Sequence, residues 1–166
     1  TLSQWVASTA PRDPDGPFDS VTEVGSAKNI LTVGAVSDLP NGYSQPSDVQ
    51  VTSFSGFGPA DDGRIKPDLV ANGRSLYSSV ADNAVAYSNF SGTSMSAPNT
   101  TGTLALLQEL HKQETGAPMN AALLKALVLH TADEAGTAPG PDYRHGWGLL
   151  NAERAAKVIL GRQDSH

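Results

Sequence analysis

The sequence predicts an α/β fold in which short, mostly parallel strands come first and three helices follow. In the first half of the chain, short β-branched and apolar runs alternate with turns rich in Gly, Pro and Asp. Apolar residues recur at helical spacing only from about residue 93 onward. Continuous apolar runs are typical of strands buried on both faces, as in a parallel sheet. This order of elements fits the C-terminal half of a three-layer α/β/α domain.

Length and composition limit the class of protein. The 166 residues are 39% hydrophobic and 17% charged, which is enough for one domain with a substantial core. The net charge of −6 argues against a nucleic-acid partner, because phosphates require a basic surface. No apolar run is long enough to span a bilayer, and no basic cluster indicates a membrane surface. Because cysteine is absent, disulfides and thiolate catalysis are excluded.

Five segments have the pattern of strands. Residues 29–36 form an almost continuous β-branched run, which predicts a strand buried on both faces. Residues 49–54 alternate and predict a shorter strand, and residues 68–71 predict a third. Residues 75–80 and 84–87 are expected to pair as a hairpin.

The helices follow from apolar periodicity and from capping residues. The apolar stretch 103–107 predicts that the first half of the first helix is buried, and Gly116 marks its end. Asn120 is a suitable N-cap for the second helix. The predicted helices run from the serine motif to Gly116, over about residues 120–132, and over about residues 152–160.

A serine motif, Phe90-Ser91-Gly92-Thr93-Ser94-Met95-Ser96-Ala97-Pro98-Asn99, leads into the first helix. Gly92 permits a sharp turn, and Pro98 is expected in the first helical turn, where its missing N–H is not needed. Ser94 would then lie at the helix N-terminus, where a hydroxyl can attack a carbonyl while free N–H groups receive the oxyanion. By itself the pattern also fits an ordinary N-cap or first-turn serine.

The segment Gly92–Pro98 closely resembles the serine motif Gly-Thr-Ser-Met-Ala-x-Pro of the subtilisin-like serine proteases. The resemblance continues, in the order of that family, through residues 26–36, 53–59, 66–71 and 145–151. Because several independent blocks agree over roughly residues 24–160, it implies the C-terminal, nucleophile-bearing part of a subtilisin-like peptidase domain. We assign residues 1–162 to this incomplete domain and residues 163–166 to a tail.

The resemblance also implies roles for the residues of the serine motif. Ser94 would be the nucleophile, and its backbone N–H would be one oxyanion donor. Gly92 and Thr93 would shape the backbone so that this N–H points into the oxyanion hole, although plain turn residues are the simpler interpretation. The counterpart of Met95 lies beside the nucleophile on the leaving-group side, with core filling as the alternative. No metal ligand is assigned.

Three blocks that precede the matched region in the family are absent from this chain: Asp-x-Gly, His-Gly-Thr-His and the Gly-Asn block with the oxyanion asparagine. We therefore expect an upstream segment of the same precursor to supply the acid, the base and the second oxyanion donor. This partner would remain bound after cleavage in the Pro- and Asp-rich stretch of residues 1–20, which we interpret as an exposed loop. The substrates would be polypeptides.

Two alternatives remain open. The chain could be a non-catalytic, truncated form of the fold that acts as a binding or assembly module, with an exposed sheet edge and an uncovered apolar face. It could also be a small serine esterase that pairs Ser94 with a local histidine, either His130 or His145.

No cofactor is expected to be required, but calcium is a candidate structural ion. Asp61, Asp62 and Asp68 carry carboxylates of the kind that bind calcium, and the family often has calcium sites. Arg64 and Lys66 lie close by, which favours an ordinary solvated charged loop.

The resemblance leads us to expect a secreted protein, either extracellular or periplasmic. Glycosylation sequons begin at Asn89 and Asn99, on both sides of the serine motif, where a glycan would block a cleft. We interpret them as chance matches that favour a bacterial source.

Overall fold

The computed structural model describes residues 20–22 and 24–161. The predicted exposed loop, except for Ser20, and the predicted tail lie outside these residues. The described elements are β1 (Val33–Val36), β2 (Leu69–Asn72), β3 (Leu76–Ser79), β4 (Tyr87–Phe90), α1 (Thr93–Thr115), α2 (Ala121–His130) and α3 (Ala152–Ile159), with a short 3-10 helix at Pro46–Asp48.

A parallel pair of strands, β1 and β2, lies at the centre of the fold. Val33 stands opposite Leu69, and the register continues to Val36 opposite Asn72. On the other side of β2, Val70 forms a parallel bridge to Leu149. The predicted parallel strands are therefore confirmed, although the first is shorter than the apolar run 29–36.

The core lies on both faces of β2, because successive side chains of a strand point to opposite sides. Leu69 packs against the helices, with Leu107 of α1, Leu127 of α2 and Ala155 of α3 in one buried cluster. Val70 faces the other way, into a second cluster with Val36, Val49 and Ala135. Each fully buried aliphatic side chain stabilises the fold by about 1.5–3 kcal/mol. Because the three helices contribute to the Leu69 cluster, they pack against one face of the sheet.

Strands β3 and β4 form the predicted hairpin. They are antiparallel, with Leu76 opposite Phe90 and Ser79 opposite Tyr87. The second strand lies later than the predicted segment 84–87, because Asn83 organises the turn: its carbonyl accepts from Ala86 N at 3.2 Å. The hairpin leads directly into the serine motif.

The three predicted helices are confirmed, and their ends follow from capping chemistry. Gly116 ends α1 in a left-handed conformation, with φ of 82°, and its N–H donates to the Lys112 carbonyl at 2.9 Å. Asn120 caps α2 by accepting from Leu123 N at 2.8 Å. Asn151 caps α3 in the same way, from Arg154 N at 2.8 Å.

Two expectations about these elements are wrong. Residues 49–54 do not form a strand, since only Val51 makes a bridge, antiparallel to Val36. The N–H and hydroxyl of Thr52 instead bond to the Ala35 carbonyl, at 3.0 and 3.1 Å, and the chain then turns away. The first half of α1 is not buried throughout, because Leu106 is 68% exposed.

Candidate active site

A glycine turn between β4 and α1 sets the position of Ser94. Gly92 has φ of 155° and ψ of 164°, a conformation that is essentially restricted to glycine. Its N–H donates to the Gly73 carbonyl at 2.8 Å, which ties the turn to the end of β2. Helix α1 begins at Thr93, so Ser94 is its second residue, as the motif predicts.

The hydroxyl and the backbone N–H of Ser94 are the two groups that the proposed chemistry would use. The N–H groups of Met95 and Ser96 donate to the Gly92 carbonyl, at 3.0 and 3.4 Å. Within residues 20–22 and 24–161, neither the N–H nor the hydroxyl of Ser94 has a hydrogen-bond partner, and the residue is exposed. A free N–H at the positive end of a helix can receive an oxyanion.

Pro98 lies one turn later than the sequence led us to expect. Because α1 begins at Thr93, the proline is in the second helical turn and not the first. In an α-helix the N–H of residue 98 would bond to the carbonyl of Ser94, and proline has no N–H. The helix is therefore missing a backbone bond at the serine itself.

Two separate cavities lie beside the start of α1. Ser94 and Met95 face a groove of about 520 Å³. The groove is lined by uncharged residues, namely Leu76, Tyr77, Ser78, Ser79, Phe90, Ser94, Met95, Pro98 and Asn99. Thr93 lines a different cavity, of about 440 Å³, together with Gly34 and Phe54. The grouping of Ser94 with Met95 thus matches the sequence motif, whereas Thr93 belongs to the other side.

Neither candidate histidine is brought to Ser94. His145 is buried, and its Nδ1 lies 3.0 Å from Asp142 Oδ2 in a cavity to which Ser94 does not contribute. His130 is an exposed residue at the end of α2. In the described part of the chain, no histidine ring forms a hydrogen bond with Ser94. Among the described residues, therefore, no histidine is placed to act as the general base that the esterase alternative requires.

Asp142 accepts several hydrogen bonds in the loop that carries His145. Burial raises the pKa of Asp142, but hydrogen bonds from the His145 and Arg144 backbone N–H groups and from the His145 ring outweigh it. The pKa of Asp142 consequently lies below its usual value. The backbone bonds are 2.8 Å from His145 N and 2.6 Å from Arg144 N. This is a loop-fixing arrangement that sequence reasoning missed; the spacing Asp-x-x-His in a Gly-rich turn was its signal.

Two of the three carboxylates considered for calcium, those of Asp62 and Asp68, form ion pairs with basic side chains of this chain. Asp68 is buried and accepts from Lys66 Nζ at 2.6 Å, from Lys125 Nζ at 2.8 Å and from Thr32 N at 2.6 Å. Asp62 pairs with the Arg64 side chain at 2.7 Å, and this hydrogen bond lowers the pKa of Asp62. The described residues contain no group of three or more acidic, histidine or cysteine side chains that could hold a metal. Structural calcium stays a prediction.

The structure adds residues to the site that the sequence did not single out. Leu76, Tyr77 and Phe90 of the hairpin line the groove, and Asn99 closes it from α1. Their signal was indirect, because the predicted hairpin directly precedes the serine motif. Among the described helices, none is both long and apolar enough to cross a membrane.

A family model for the subtilases matches residues 13–148, which is most of the chain. The chain therefore belongs to the subtilase family, as the five sequence blocks indicated. The subtilisin-like α/β fold is confirmed as well, by the parallel strands, the three helices and similar solved structures.

Two similar proteins also indicate the subtilase family. A C5a peptidase of Streptococcus pyogenes is 44% identical over 123 residues, which cover 69% of this chain and 10% of the relative. A subtilisin-like protease of Arabidopsis thaliana is 35% identical over 129 residues, covering 70% of this chain and 17% of that protein. The chain thus spans less than a fifth of the length of either relative.

Solved structures agree with the fold. The CspB protease of Clostridium perfringens superimposes with a TM-score of 0.73 at 27% identity, covering 88% of this chain and 30% of that protease. The patellamide maturation protease PatA gives a TM-score of 0.65 at 23% identity, covering 84% of this chain and 46% of that one. At that identity the second likeness supports the fold alone.

Proposed function

We propose that this chain is the nucleophile-bearing part of a serine endopeptidase. The observation that carries the proposal is the placement of Ser94. Its side chain is exposed in an uncharged groove, and its free backbone N–H lies in the first turn of α1. Membership of the subtilase family supports the role of Ser94 as a nucleophile, because its motif resembles the serine motif of that family.

The proposed reaction is acyl transfer through Ser94. Its oxygen attacks the carbonyl carbon of a peptide bond while a general base takes the hydroxyl proton. The Ser94 N–H stabilises the oxyanion, with the backbone conformation of Gly92 and Thr93 setting its direction. The carbon–nitrogen bond then breaks, the departing amine takes the proton, and water later hydrolyses the acyl-enzyme. Met95 would lie beside the departing amine.

The base, the orienting acid and the second oxyanion donor would come from an upstream segment of the same precursor. Two observations support this partner: the described histidine rings form no hydrogen bond with Ser94, and the apolar Leu106 of α1 is exposed. An extracellular or periplasmic location in a bacterium, polypeptide substrates and a structural calcium ion belong to the same proposal.

The proposal is tested by labelling with a fluorophosphonate probe, in the presence and absence of the co-expressed upstream segment. We expect labelling only when both segments are present, and loss of labelling in Ser94→Ala. Ser88→Ala, which removes an exposed hydroxyl from β4, is the matched control and should label normally. A folded complex that fails to label would overturn the proposal. Labelling of this chain alone that disappears in His145→Ala would favour the esterase instead.

A second candidate is a non-catalytic binding or assembly module. The exposure of Leu106 on α1 and of Trp147, at 68% and 50%, favours it, since uncovered apolar side chains mark contact surfaces. Sedimentation of the isolated chain distinguishes the two. A stable self-assembled species that does not exchange with the upstream segment would support the module.

A further inference from the structure

We propose that Ser91 is a positioning residue for the proposed reaction: its hydroxyl holds the glycine turn against the segment that follows β2, so that the Ser94 N–H keeps its direction. This inference deepens the proposed function and rests on it for the chemistry at Ser94. Three observations carry it: a hydrogen bond to the Ser91 side chain, an unusual backbone conformation at Ser75, and the contacts that fix residues 73–75.

The serine motif is bound to this segment at two consecutive residues. The hydroxyl of Ser91 accepts a hydrogen bond from the backbone N–H of Ser75 at 2.9 Å. The next residue is Gly92, whose own N–H donates to the Gly73 carbonyl at 2.8 Å. One bond alone would leave the turn free to rotate about it. Two bonds from neighbouring residues to the same short segment restrict that rotation.

Ser75 departs from strand geometry where it meets Ser91. Its φ of 56° lies in the left-handed region, and no other described residue except glycine has a positive φ. The register of β3 with β4, continued by one residue, places Ser75 opposite Ser91. Since the bond from Val80 N to the Ala86 carbonyl makes that pair a bonded one, a strand-like Ser75 would point its N–H away from Ser91. The left-handed conformation directs the N–H to the hydroxyl instead, and such outliers cluster at functional sites.

Gly73 joins the segment to the central strands. Its N–H donates to the Val36 carbonyl of β1 at 3.0 Å. A methyl group added at Gly73 would lie 2.6 Å from Ala35 Cβ and 2.9 Å from the Gly92 carbonyl oxygen, so the turn and the sheet are in close contact here.

Asn72, the last residue of β2, fixes the rest of the segment. Its Oδ1 accepts from Arg74 N at 3.0 Å, and its Nδ2 donates to Asp38 Oδ1 at 2.9 Å. The partner that Ser75 offers to Ser91 is therefore anchored to both strands of the central pair.

The geometry indicates an indirect role in the reaction. Ser91 does not line the groove that Ser94 and Met95 line, so its effect on the reaction passes through the turn. The Ser94 N–H lies two residues after Gly92, and its direction depends on how the turn is held. An oxyanion donor is effective because it is already aimed at the position where the charge develops, and a small misplacement of such a group lowers the rate.

The test measures how fast the complex with the upstream segment reacts with a fluorophosphonate probe at several probe concentrations. These data give the rate constant of the bound probe, kinact, and the concentration at half-saturation, KI. We expect Ser91→Ala to lower kinact about fivefold, the size of one hydrogen bond, and to leave KI within about twofold. A contact between Ser91 and the probe would raise KI instead.

Two variants serve as controls. Ser91→Thr keeps the hydroxyl and should restore kinact. Ser88→Ala removes a different exposed hydroxyl of β4 and should change neither constant.

A second measurement, amide hydrogen exchange of this chain, does not depend on catalysis. We expect the N–H groups of Ser75 and Gly92 to exchange about fivefold faster in Ser91→Ala than in the wild type, because the turn then opens more often. Ser88→Ala should leave both exchange rates unchanged.

Several outcomes would overturn the inference. An unchanged kinact in Ser91→Ala would do so, and so would a loss that Ser91→Thr does not restore. A raised KI with unchanged kinact would show that Ser91 contacts the probe directly. If the wild-type complex is not labelled, the proposed function fails, and hydrogen exchange tests the inference separately: equal exchange at Gly92 in Ser91→Ala and the wild type would show that Ser91 does not hold the turn.

Discussion

The buried site around Asp68 and the exposed site around Ser94 treat their polar groups in opposite ways. The Asp68 carboxylate holds two ammonium groups and a backbone N–H, all within 2.8 Å, and the residue is 6% exposed. Ser94 has no hydrogen-bond partner within the described residues, for either its hydroxyl or its N–H.

The comparison distinguishes polar groups that stabilise the fold from polar groups that remain available to react with a substrate. A buried charge destabilises a fold unless it is paired and hydrogen-bonded, and the Asp68 carboxylate has such partners in Lys66, Lys125 and Thr32. A nucleophile and an oxyanion donor must keep their bonding capacity for a substrate, so Ser94 is left open. Its neighbours in the turn are fixed instead, through Gly92 and Gly73.

Removing the buried carboxylate should have the largest effect. Asp68→Ala leaves Lys66, which is 2% exposed, as a buried cation without its counter-ion. We expect a loss of about 3–5 kcal/mol in the free energy of unfolding, against almost none for Ser94→Ala. Urea denaturation of both variants measures this. Because Asp68→Ala is at risk of not folding, Lys125→Ala gives a milder version, and equal stability of all variants would contradict the contrast.

The turn before Ser94 should come next. Gly92→Ala forces a side chain into φ of 155° and ψ of 164°, although the added methyl would meet no atom closer than 3.6 Å. The cost is therefore conformational and amounts to about 1–3 kcal/mol. Thermal unfolding is the measurement, with Gly102→Ala in the same helix as control, because that position is open and helical. A stable Gly92→Ala would show that the turn is less constrained than we infer.

Asp142 provides a test that depends on pH. Because its pKa in the folded chain lies below the ordinary value of 3.8, its stabilising effect is present above that pH and is lost as the pH falls through the folded pKa. Asp142→Asn should cost about 1–2 kcal/mol at pH 7 and almost nothing once the wild-type carboxyl is protonated. Urea unfolding at pH 7 and at a series of pH values below 3.8 compares the two variants as the wild-type carboxyl becomes protonated. A loss that persists at low pH would assign the effect to packing.

The smallest effects concern two buried threonines. Thr100 on α1 has a buried hydroxyl without a partner among the described residues, whereas Thr131 at the end of α2 donates to the Leu127 carbonyl at 2.9 Å. We expect Thr100→Val to be neutral or stabilising by up to about 1 kcal/mol, and Thr131→Val to cost about 1 kcal/mol. Differential scanning calorimetry of the pair checks the sign. A destabilised Thr100→Val would indicate a partner for that hydroxyl, for example the upstream segment.

Sequence reasoning succeeded where local chemistry decides. The glycine turn, the Asn120 cap and the Gly116 end follow from backbone rules that act within a few residues, and the structure has all three. The serine motif could be placed at a helix start for the same reason. The parallel pairing of β1 with β2 was predictable because a run apolar on both faces must be covered on both.

Sequence reasoning failed where distant segments compete for the same groups. Residues 49–54 alternate like a strand, yet Val51 makes a single bridge to Val36 and Thr52 bonds to the Ala35 carbonyl of β1. Asp68 was considered with the neighbouring acids, but Lys125 arrives from α2, far along the chain. The spacing Lys66-x-Asp68 was a usable signal, because residues two apart share one face of a strand. The exposure of Leu106 could not be predicted from its neighbours in the sequence, because the stretch 103–107 is apolar throughout.

The bridge between β2 and Leu149 has a consequence for how the protein is made. Val70 donates to the Gly148 carbonyl and accepts from Leu150 N, at 3.0 Å in each case, and these residues lie almost half the length of the chain later. A ribosome delivers β1, β2 and α1 long before it delivers Leu149. The nascent chain therefore waits with one flank of β2 unpaired, in the interval when exposed strand edges attract other chains. We expect this edge of β2 to be protected only once residues 148–150 have emerged and paired with Val70.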